Sequence, residues 1–334
     1  MFAATRNSTS QSALLWLAAT AITMLLPLAV QAQAYPNRPV RVVTNYTAGG
    51  ATDIVARAMA KKLSDTSGQP VVVENRPSVN GVVGTQDVIR TKPDGYNLLF
   101  STAAHTSISR ALLGDKMPFD PFRDLTPITL LVINPQALFA YPGLGVKNVI
   151  DLVGLAKASP GKYSYASVGL GSPNHLGIEL LKNLAGIDML HVPYKGGPPL
   201  LVDLMAGRVQ LTLQSMVSAM PQVRAGKLVV LGVGTVRRSP AFPEVATVIE
   251  QGYPDFEVYT WYGMFGPAGL PRDIVMKLSA VYNDALKQPE IVKSFSAQGM
   301  EPAGGTPEEL ARVMRSEYER WRKVIVAAKI EIEE

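Results

Sequence analysis

The sequence predicts an α/β fold of two lobes, each a mostly parallel sheet flanked by helices. Short apolar runs rich in β-branched residues alternate with amphipathic runs of helical spacing along most of the chain. About 300 residues follow an apolar leader, a length that is long for one core and natural for two. A helix start preceded by glycine occurs in each half of the chain.

Residues 1–34 are predicted to be a secretory signal peptide. Arg6 precedes a long apolar run, 13–30, that ends in Ala32-Gln33-Ala34. An uncleaved membrane anchor is the alternative, but Pro27 and the small residues after it favour cleavage before Tyr35. The chain has no cysteine, which excludes disulfides, thiol catalysis and lipid attachment at a cysteine. We therefore expect a protein free in a bacterial periplasm.

The charge pattern argues against nucleic-acid binding. The formal net charge of +5 becomes +4 when the leader, whose one charged residue is Arg6, is removed. Lysine and arginine are scattered among acidic residues and form no stripe, a pattern that indicates mild attraction for anions.

The first glycine-led helix start follows the first predicted strand. A strand over 40–44 and a helix over 54–63 enclose the turn 46–53, whose two adjacent glycines can adopt positive φ and expose bare backbone. The first amides of a helix lack intrahelical partners and attract anions. The alternative is a tight connection in which Thr52 or Asp53 only caps the helix.

A second polar segment is expected beside this turn. A strand over 71–73, a helix over 85–90 and a strand over 98–100 continue the alternation, and the last strand leads into 101–105. In a parallel sheet, strands end at the same edge, where ligands bind. The two segments are therefore predicted to share one rim.

The second lobe is predicted to begin after Asn134-Pro135. Its boundaries place residues 35–136 and 258–334 in domain I and residues 137–257 in domain II. The second glycine-led helix start lies in domain II. There Ser172 is suited to the N-cap and Pro173 to the first helical position.

The remaining predicted helices are assigned to packing. A helix is expected over 245–251, and another over 271–286. Thr306-Pro307-Glu308-Glu309 is a capping box before a helix with an apolar stripe, in which Trp321 is expected to be core.

Catalytic and metal motifs are sparse. The three histidines have no metal-ligand spacing, and we expect no metal or other cofactor. An exported hydrolase that uses Ser172 or Ser101 with a nearby histidine remains the alternative to a binding protein. Neutral hydrogen-bonding groups are abundant at predicted strand ends, and such groups can bind a carboxylate without a buried counter-charge. They are Thr47, Ser101, Thr102, Ser167, Ser172, Asn174, Tyr194, Gln214 and Ser215.

Six ordered motifs resemble those of the Bug receptors, the extracytoplasmic solute-binding proteins of tripartite tricarboxylate transporters. They are Tyr-x-Ala-Gly-Gly-x-x-Asp (46–53), Val-Glu-Asn-Arg-Pro (73–77), Pro-Asp-Gly-Tyr (93–96), Gly-Ser-Pro-x-His-Leu (171–176), His-Val-Pro-Tyr-Lys-Gly (191–196) and Trp-Tyr-Gly (261–263). The resemblance implies a Venus-flytrap fold, a small carboxylate ligand, membrane permease subunits as partners, a monomer and no catalytic step. A receptor that presents its ligand to a sensor kinase would share every one of these features.

The resemblance also implies the ligand contacts. In domain I they are Tyr46, Thr47, Ala48, Gly49, Gly50, Ser101, Thr102, Ala103 and His105. In domain II they are Ser167, Gly171, Ser172, His175, Tyr194, Lys195, Gln214 and Ser215. The family often has proline in place of Thr47, and an Asp-Asn pair in place of Gln214-Ser215. The missing acid argues against an amino-acid ligand and favours a mono- or dicarboxylic acid, aliphatic or aromatic.

Overall fold

The computed structural model describes residues 35–330, and the predicted signal peptide, 1–34, lies outside the described residues. From Arg38 onward the described chain forms one compact unit of α/β structure. Its strands are β1 (Val40–Thr44), β2 (Val71–Asn75), β3 (Asn97–Thr102), β4 (Leu125–Ala140), β5 (Ser164–Ser167), β6 (Leu190–Pro193), β7 (Leu211–Ser215), β8 (Val229–Val233), β9 (Tyr259–Pro267) and β10 (Glu301–Pro302).

The helices flank the sheet formed by these strands. They are α1 (Ala51–Ser67), α2 (Val82–Ile89), α3 (Ser107–Leu113), α4 (Pro121–Asp124), α5 (Val149–Ala158), α6 (Pro173–Ala185), α7 (Gly197–Met205), α8 (Met216–Arg224), α9 (Arg272–Leu286), α10 (Pro289–Ser296) and α11 (Pro307–Ala327). Within 35–330, none of these helices has both the length and the apolarity needed to span a membrane.

The strands run side by side in the order β2-β1-β3-β9-β4-β7-β5-β6, while β8 and β10 also pair with β4. Pairing is parallel at both outer sides, among β1, β2 and β3 and among β5, β6 and β7. It is antiparallel wherever β4 or β9 takes part. The mixed α/β architecture is as predicted, but the centre of the sheet is antiparallel and so less uniformly parallel than expected.

Strand β4 connects the two sides of this sheet. Its residues 125–135 pair with β9, and from Gln136 onward it pairs with β7. The predicted crossing into the second lobe at Asn134-Pro135 lies inside this strand, whose 16 residues run through it. Pro135 lies opposite Tyr259 in the ladder. A proline lacks a backbone donor, so the sequence signals a strand end here, while pairing on both sides keeps the strand continuous.

Local sequence signals place the starts of two helices correctly. Ser172 caps α6 with Pro173 in its first turn, and Thr306 and Glu309 form the predicted capping box of α11. Trp321 is buried in the core, as predicted. The helix predicted over 245–251 is wrong, because this segment is a series of turns in which Thr247 and Glu250 bond to each other. Helix α10 was not predicted.

Candidate ligand-binding site

The carboxyl ends of β1 and β3 bring the two predicted rim segments of domain I together. The hydroxyl oxygens of Tyr46 and Thr102 lie 2.5 Å apart, and the rings of Tyr46 and His105 stack with centroids 4.6 Å apart. Thr102 also accepts a hydrogen bond from the amide of Ala104, which begins the short 3-10 helix Ala103–His105. Burial raises the pKa of the Tyr46 hydroxyl, which keeps it neutral as a hydrogen-bonding group.

The turn 47–50 is exposed and leads into α1. Gly49 has a φ of +85°, so the positive φ predicted for this turn is present. Gly50 occupies the N-cap position without a side-chain cap, and Ile54 makes the first backbone hydrogen bond of the helix, to the carbonyl of Gly50. By helix geometry the amides of 51–53 have no intrahelical acceptors. This helix end can therefore donate several hydrogen bonds to an anion.

Asp53 is the buried acid of this helix start and does not act as an N-cap. Its Oδ2 accepts from the amide of Gly49 at 3.0 Å and from Arg57 Nε at 2.8 Å, and its Oδ1 accepts from Asn75 Nδ2 at 2.8 Å. Burial would raise the pKa of Asp53, but hydrogen bonds from Arg57, Gly49 and Asn75 outweigh it and lower the pKa to about 2. Asp53 is thus an internal anion bound to the turn.

Asn45 is a buried residue that supports the rim through hydrogen bonds. It is 2% exposed, and its Nδ2 donates to Thr85 at 3.1 Å and to Ser101 at 3.4 Å. A Cβ on Gly84 would lie 2.2 Å from Asn45 Oδ1, so only glycine at that position lets α2 approach this closely. The predicted site residue Ser101 is fully buried and supports the rim through this contact.

In domain II, four predicted site residues meet around a pair of histidines. Ser167 Oγ lies 2.7 Å from His191 Nε2, and the rings of His191 and His175 stack with centroids 4.1 Å apart. The amide of Gly171 donates to His175 Nδ1 at 3.1 Å, and Ser172 caps the same helix. The second glycine turn is therefore fixed by the ring of His175.

Both candidate site histidines are neutral at pH 7. Burial lowers the pKa of His105 to about 4. Burial, with a smaller effect of the neighbouring His191, lowers the pKa of His175 to about 4. Because His175 Nδ1 accepts a hydrogen bond, its proton lies on Nε2. The walls of the candidate site are thus polar and uncharged at these positions.

Neither serine of the hydrolase alternative is arranged as a nucleophile. Ser172 Oγ donates to the carbonyl of Gly169 at 2.6 Å, and His175 Nδ1 is occupied by the amide of Gly171. Ser101 is buried against Asn45. A serine nucleophile needs a base within hydrogen-bond reach of its hydroxyl, and these contacts place none beside either Oγ.

A chain of polar contacts crosses the sheet where β4 and β9 meet. Ser215 Oγ donates to Asn134 Oδ1 at 2.9 Å, and Asn134 Nδ2 donates to the Tyr262 hydroxyl at 3.4 Å. Tyr262 pairs with Thr102 in the ladder of β3 and β9. Ser215, the last residue of β7, is thereby connected to the rim that contains Thr102, and Gln214 precedes it in the strand.

Tyr194 is joined to Ser167 only by its backbone, since its amide donates to the Ser167 carbonyl at 2.8 Å, while its side chain bonds elsewhere. The Tyr194 hydroxyl donates to Asp203 at 2.9 Å, and Asp203 is paired with Arg208 at 2.6 Å. Lys195 is exposed. Ala103, the first residue of the 3-10 helix that ends at His105, is buried.

Sequence reasoning missed several residues that organise the site: Asn45, Asn75, Asn134, His191 and Tyr262. Three of them lie within motifs already recognised, namely Asn75 in 73–77, His191 in 191–196 and Tyr262 in 261–263. A polar or aromatic residue inside such a motif was the signal that could have found these three.

Four buried polar atoms near the strand ends have no hydrogen-bond partner among residues 35–330: Thr44 Oγ1, Asn45 Oδ1, His105 Nδ1 and Gln214 Nε2. Buried polar groups are normally paired, so such atoms indicate where a ligand or ordered water bonds. Within 35–330, no three histidine, aspartate or glutamate side chains are grouped as a metal site. The arrangement suits an organic anion held by neutral donors.

Comparison with known proteins identifies the family. Residues 55–330 match the model described as the tripartite tricarboxylate transporter family receptor. The solved structure of the periplasmic binding protein BugD is 32% identical, with a TM-score of 0.71 over 90% of this chain and 100% of that one.

Two further solved structures contain carboxylates. Rpa4515 of R. palustris with adipate is 34% identical, with a TM-score of 0.74, covering 89% of this chain and 99% of that one. MatC from Rhodopseudomonas palustris with bound malate is 31% identical, with a TM-score of 0.71, covering 87% of this chain and 100% of that one. The fold is therefore the two-lobed periplasmic-binding-protein fold, and this chain belongs to the tripartite tricarboxylate transporter receptor family.

Proposed function

We propose that this protein is an extracytoplasmic solute-binding protein that captures a small carboxylate between its two lobes for uptake by a tripartite tricarboxylate transporter. The observation that carries the proposal is the contact of Tyr46 with Thr102 beside the exposed start of α1. It joins neutral hydroxyls and helix amides at one rim, the combination that binds an anion without a buried cation. The adipate and malate of the two related structures support the same ligand class.

The ligand proposed is a mono- or dicarboxylic acid, aliphatic or aromatic. Gln214, the residue before the end of β7, has a buried Nε2 donor without a hydrogen-bond partner among the described residues. This donor favours a ligand that presents an oxygen acceptor to Gln214. The ammonium group of an amino acid would find no aspartate at this position. The ligand contacts proposed are the seventeen residues named from the sequence, with Tyr46, Thr102 and His105 in domain I as the most closely joined.

The remaining parts of the proposal concern architecture and location. Domain I comprises 35–136 and 258–334, and domain II comprises 137–257. The switch of β4 from β9 to β7 at Gln136 supports this boundary. The chain is exported and cleaved after Ala34, which removes residues 1–34. It then acts in the periplasm as a monomer that delivers its ligand to membrane permease subunits. The periplasmic relative BugD supports this location.

A thermal-shift screen tests the proposal. The purified protein is heated with adipate, malate, other mono-, di- and tricarboxylates, aromatic acids, amino acids and neutral sugars. An acid present at a hundred times its Kd adds about 2.7 kcal/mol to the free energy of unfolding, so the melting temperature rises. A shift confined to one class of carboxylate is expected. No shift with any acid, or a shift with neutral sugars alone, would contradict the proposal.

Ser172→Ala separates the receptor from the hydrolase alternative. Because Ser172 caps α6, its loss should lower the free energy of unfolding by about 1 kcal/mol. We expect stoichiometric binding of the acid found in the screen, with no ester or amide turnover in either protein, measured by calorimetry and by release of a chromogenic product. Turnover in the wild type that Ser172→Ala abolishes would establish the hydrolase.

A further inference from the structure

We infer that Asn75, with Arg57 and Asp53, is a positioning residue that presets the ligand-binding turn 46–50 without touching the ligand. The inference rests on the proposed function, because it concerns the same carboxylate site. It also gives Asn75 of the motif Val-Glu-Asn-Arg-Pro, 73–77, a role in ligand binding.

Strand pairing brings Asn75 to the turn. Strand β2 runs parallel to β1, and in their register Asn75 lies opposite Thr44, two residues before Tyr46. The last residue of β2 is thus beside the point where β1 passes into the turn. A residue 29 positions away in sequence from Tyr46 becomes its neighbour.

Two hydrogen bonds hold the two ends of the turn. Asn75 Nδ2 donates to the backbone carbonyl of Tyr46 at 2.9 Å, and the amide of Gly49 donates to Asp53 at 3.0 Å. The same Asn75 Nδ2 also donates to Asp53 Oδ1 at 2.8 Å. One amide group therefore connects both attachment points. The exposed Thr47 and Ala48 lie between them.

Arg57 completes the arrangement. Its Nε donates to Asp53 Oδ2 at 2.8 Å, and another guanidinium nitrogen donates to Asn75 Oδ1 at 2.9 Å. The three side chains thus bond in a closed ring. Arg57 also balances the negative charge of Asp53, which lies at the helix end where a ligand carboxylate would bind and would otherwise repel it.

This ring has a consequence for ligand recognition. The amide of Gly49 is committed to Asp53 before any ligand arrives, so the ligand uses the helix amides that follow it. A turn fixed in its binding conformation spares the ligand the entropy of ordering it. Breaking the ring should therefore lower affinity more than it lowers global stability.

The test compares Asn75→Ala with Asn97→Ala. Asn97 also accepts from an arginine, Arg41 at 3.4 Å, but it lies at the amino end of β3, away from the rim. Affinity for adipate, malate and the best acid of the screen is measured by calorimetry, and the melting temperature is measured without ligand. We expect about tenfold weaker binding for Asn75→Ala, because the ligand must then order a turn that Asn75 no longer holds, and wild-type affinity for Asn97→Ala. Both variants should melt within a few degrees of each other.

Two further measurements distinguish positioning from a purely structural role. Arg57→Ala should weaken binding, and Arg57→Lys should recover most of the loss by restoring the charge beside Asp53. Hydrogen–deuterium exchange of the ligand-free protein should be faster across 46–50 in Asn75→Ala than in Asn97→Ala. Equal affinity of the two asparagine variants, or unchanged exchange of the turn, would overturn the inference. If the wild type binds no acid, the proposed function fails, while the exchange result still decides whether Asn75 orders the turn.

Discussion

Gly49→Val should lower carboxylate affinity more than a hundredfold, which corresponds to about 2.7 kcal/mol of binding free energy. Gly49 is exposed with a φ of +85°, and a Cβ added to it would meet no protein atom within 4 Å. The valine side chain would therefore project into the space in front of the turn, where an anion approaches the amides at the start of α1. A β-branched side chain such as that of valine also disfavours positive φ, so the substitution should distort the turn.

Gly68→Val is the matched control for this prediction. Gly68 is the C-cap of the same helix, with a φ of +70° and no atom within 4 Å of an added Cβ. It lies about 25 Å from Gly49 along the helix axis. Both variants should lose about 1–3 kcal/mol of unfolding free energy from backbone strain. Calorimetry with the acid found in the screen should show loss of binding in Gly49→Val alone; equal affinities would remove this turn from the site.

Glu317→Gln should stabilise the protein more at pH 8 than at pH 4. Between these two pH values, its free energy of unfolding should gain up to about 3 kcal/mol relative to the wild type. Glu317 is 0% exposed, and its carboxylate accepts from Trp321 Nε1 at 2.8 Å and from Arg320 at 3.1 Å. Burial, against the opposing effects of these two partners, raises the pKa of Glu317 from its ordinary value near 4.5 to about 7. The folded state thus binds a proton that the unfolded state releases, and stability falls as pH rises from 4.5 to 7.

The free energy of unfolding of Glu317→Gln must be compared with that of the wild type at each pH. The neutral histidines, which both proteins contain, change stability with pH in the opposite direction to Glu317. Burial lowers the pKa of His105 and His175 to about 4, so their contribution to stability is lost as pH falls from 6.5 towards 4. Denaturant unfolding at pH 4, 6 and 8 measures the gap between Glu317→Gln and the wild type. Glu319→Gln, on an exposed position of α11, should show a constant gap. A gap for Glu317→Gln that does not widen with pH would mean that the carboxylate is ionised beside Arg320.

The candidate site could be predicted from sequence where its geometry follows from topology. Parallel strands end at one edge, so the meeting of Tyr46 and Thr102 follows from recognising two adjacent strands and the polar segments after them. The positive φ of Gly49 and the cap at Ser172 are likewise properties of short segments. The proposed ligand contacts as a set stay a prediction, since they depend on a bound acid.

Other parts of the site required side-chain directions that one sequence does not encode. Tyr194 is a predicted ligand contact, and its hydroxyl donates to Asp203, a partner that the sequence did not indicate. His175 is also a predicted ligand contact, and it stacks on His191 and accepts from the amide of Gly171. Each outcome depends on a partner from another segment. Residue type alone therefore indicated polarity at the rim but not the atom that each group would bond.

The sequence by itself determined the alternating α/β elements, the glycine-led starts of α1 and α6, and the capping box of α11, because each depends on residues within a few positions of one another. Tertiary structure alone decided that β4 continues through Pro135, that 245–251 forms turns, and that Asn75 reaches Tyr46 and Asp53. These features depend on pairing between strands far apart in the chain, whose hydrogen bonds and burial outweigh local preference. Local rules thus located the site, and long-range pairing supplied the contacts that shape it.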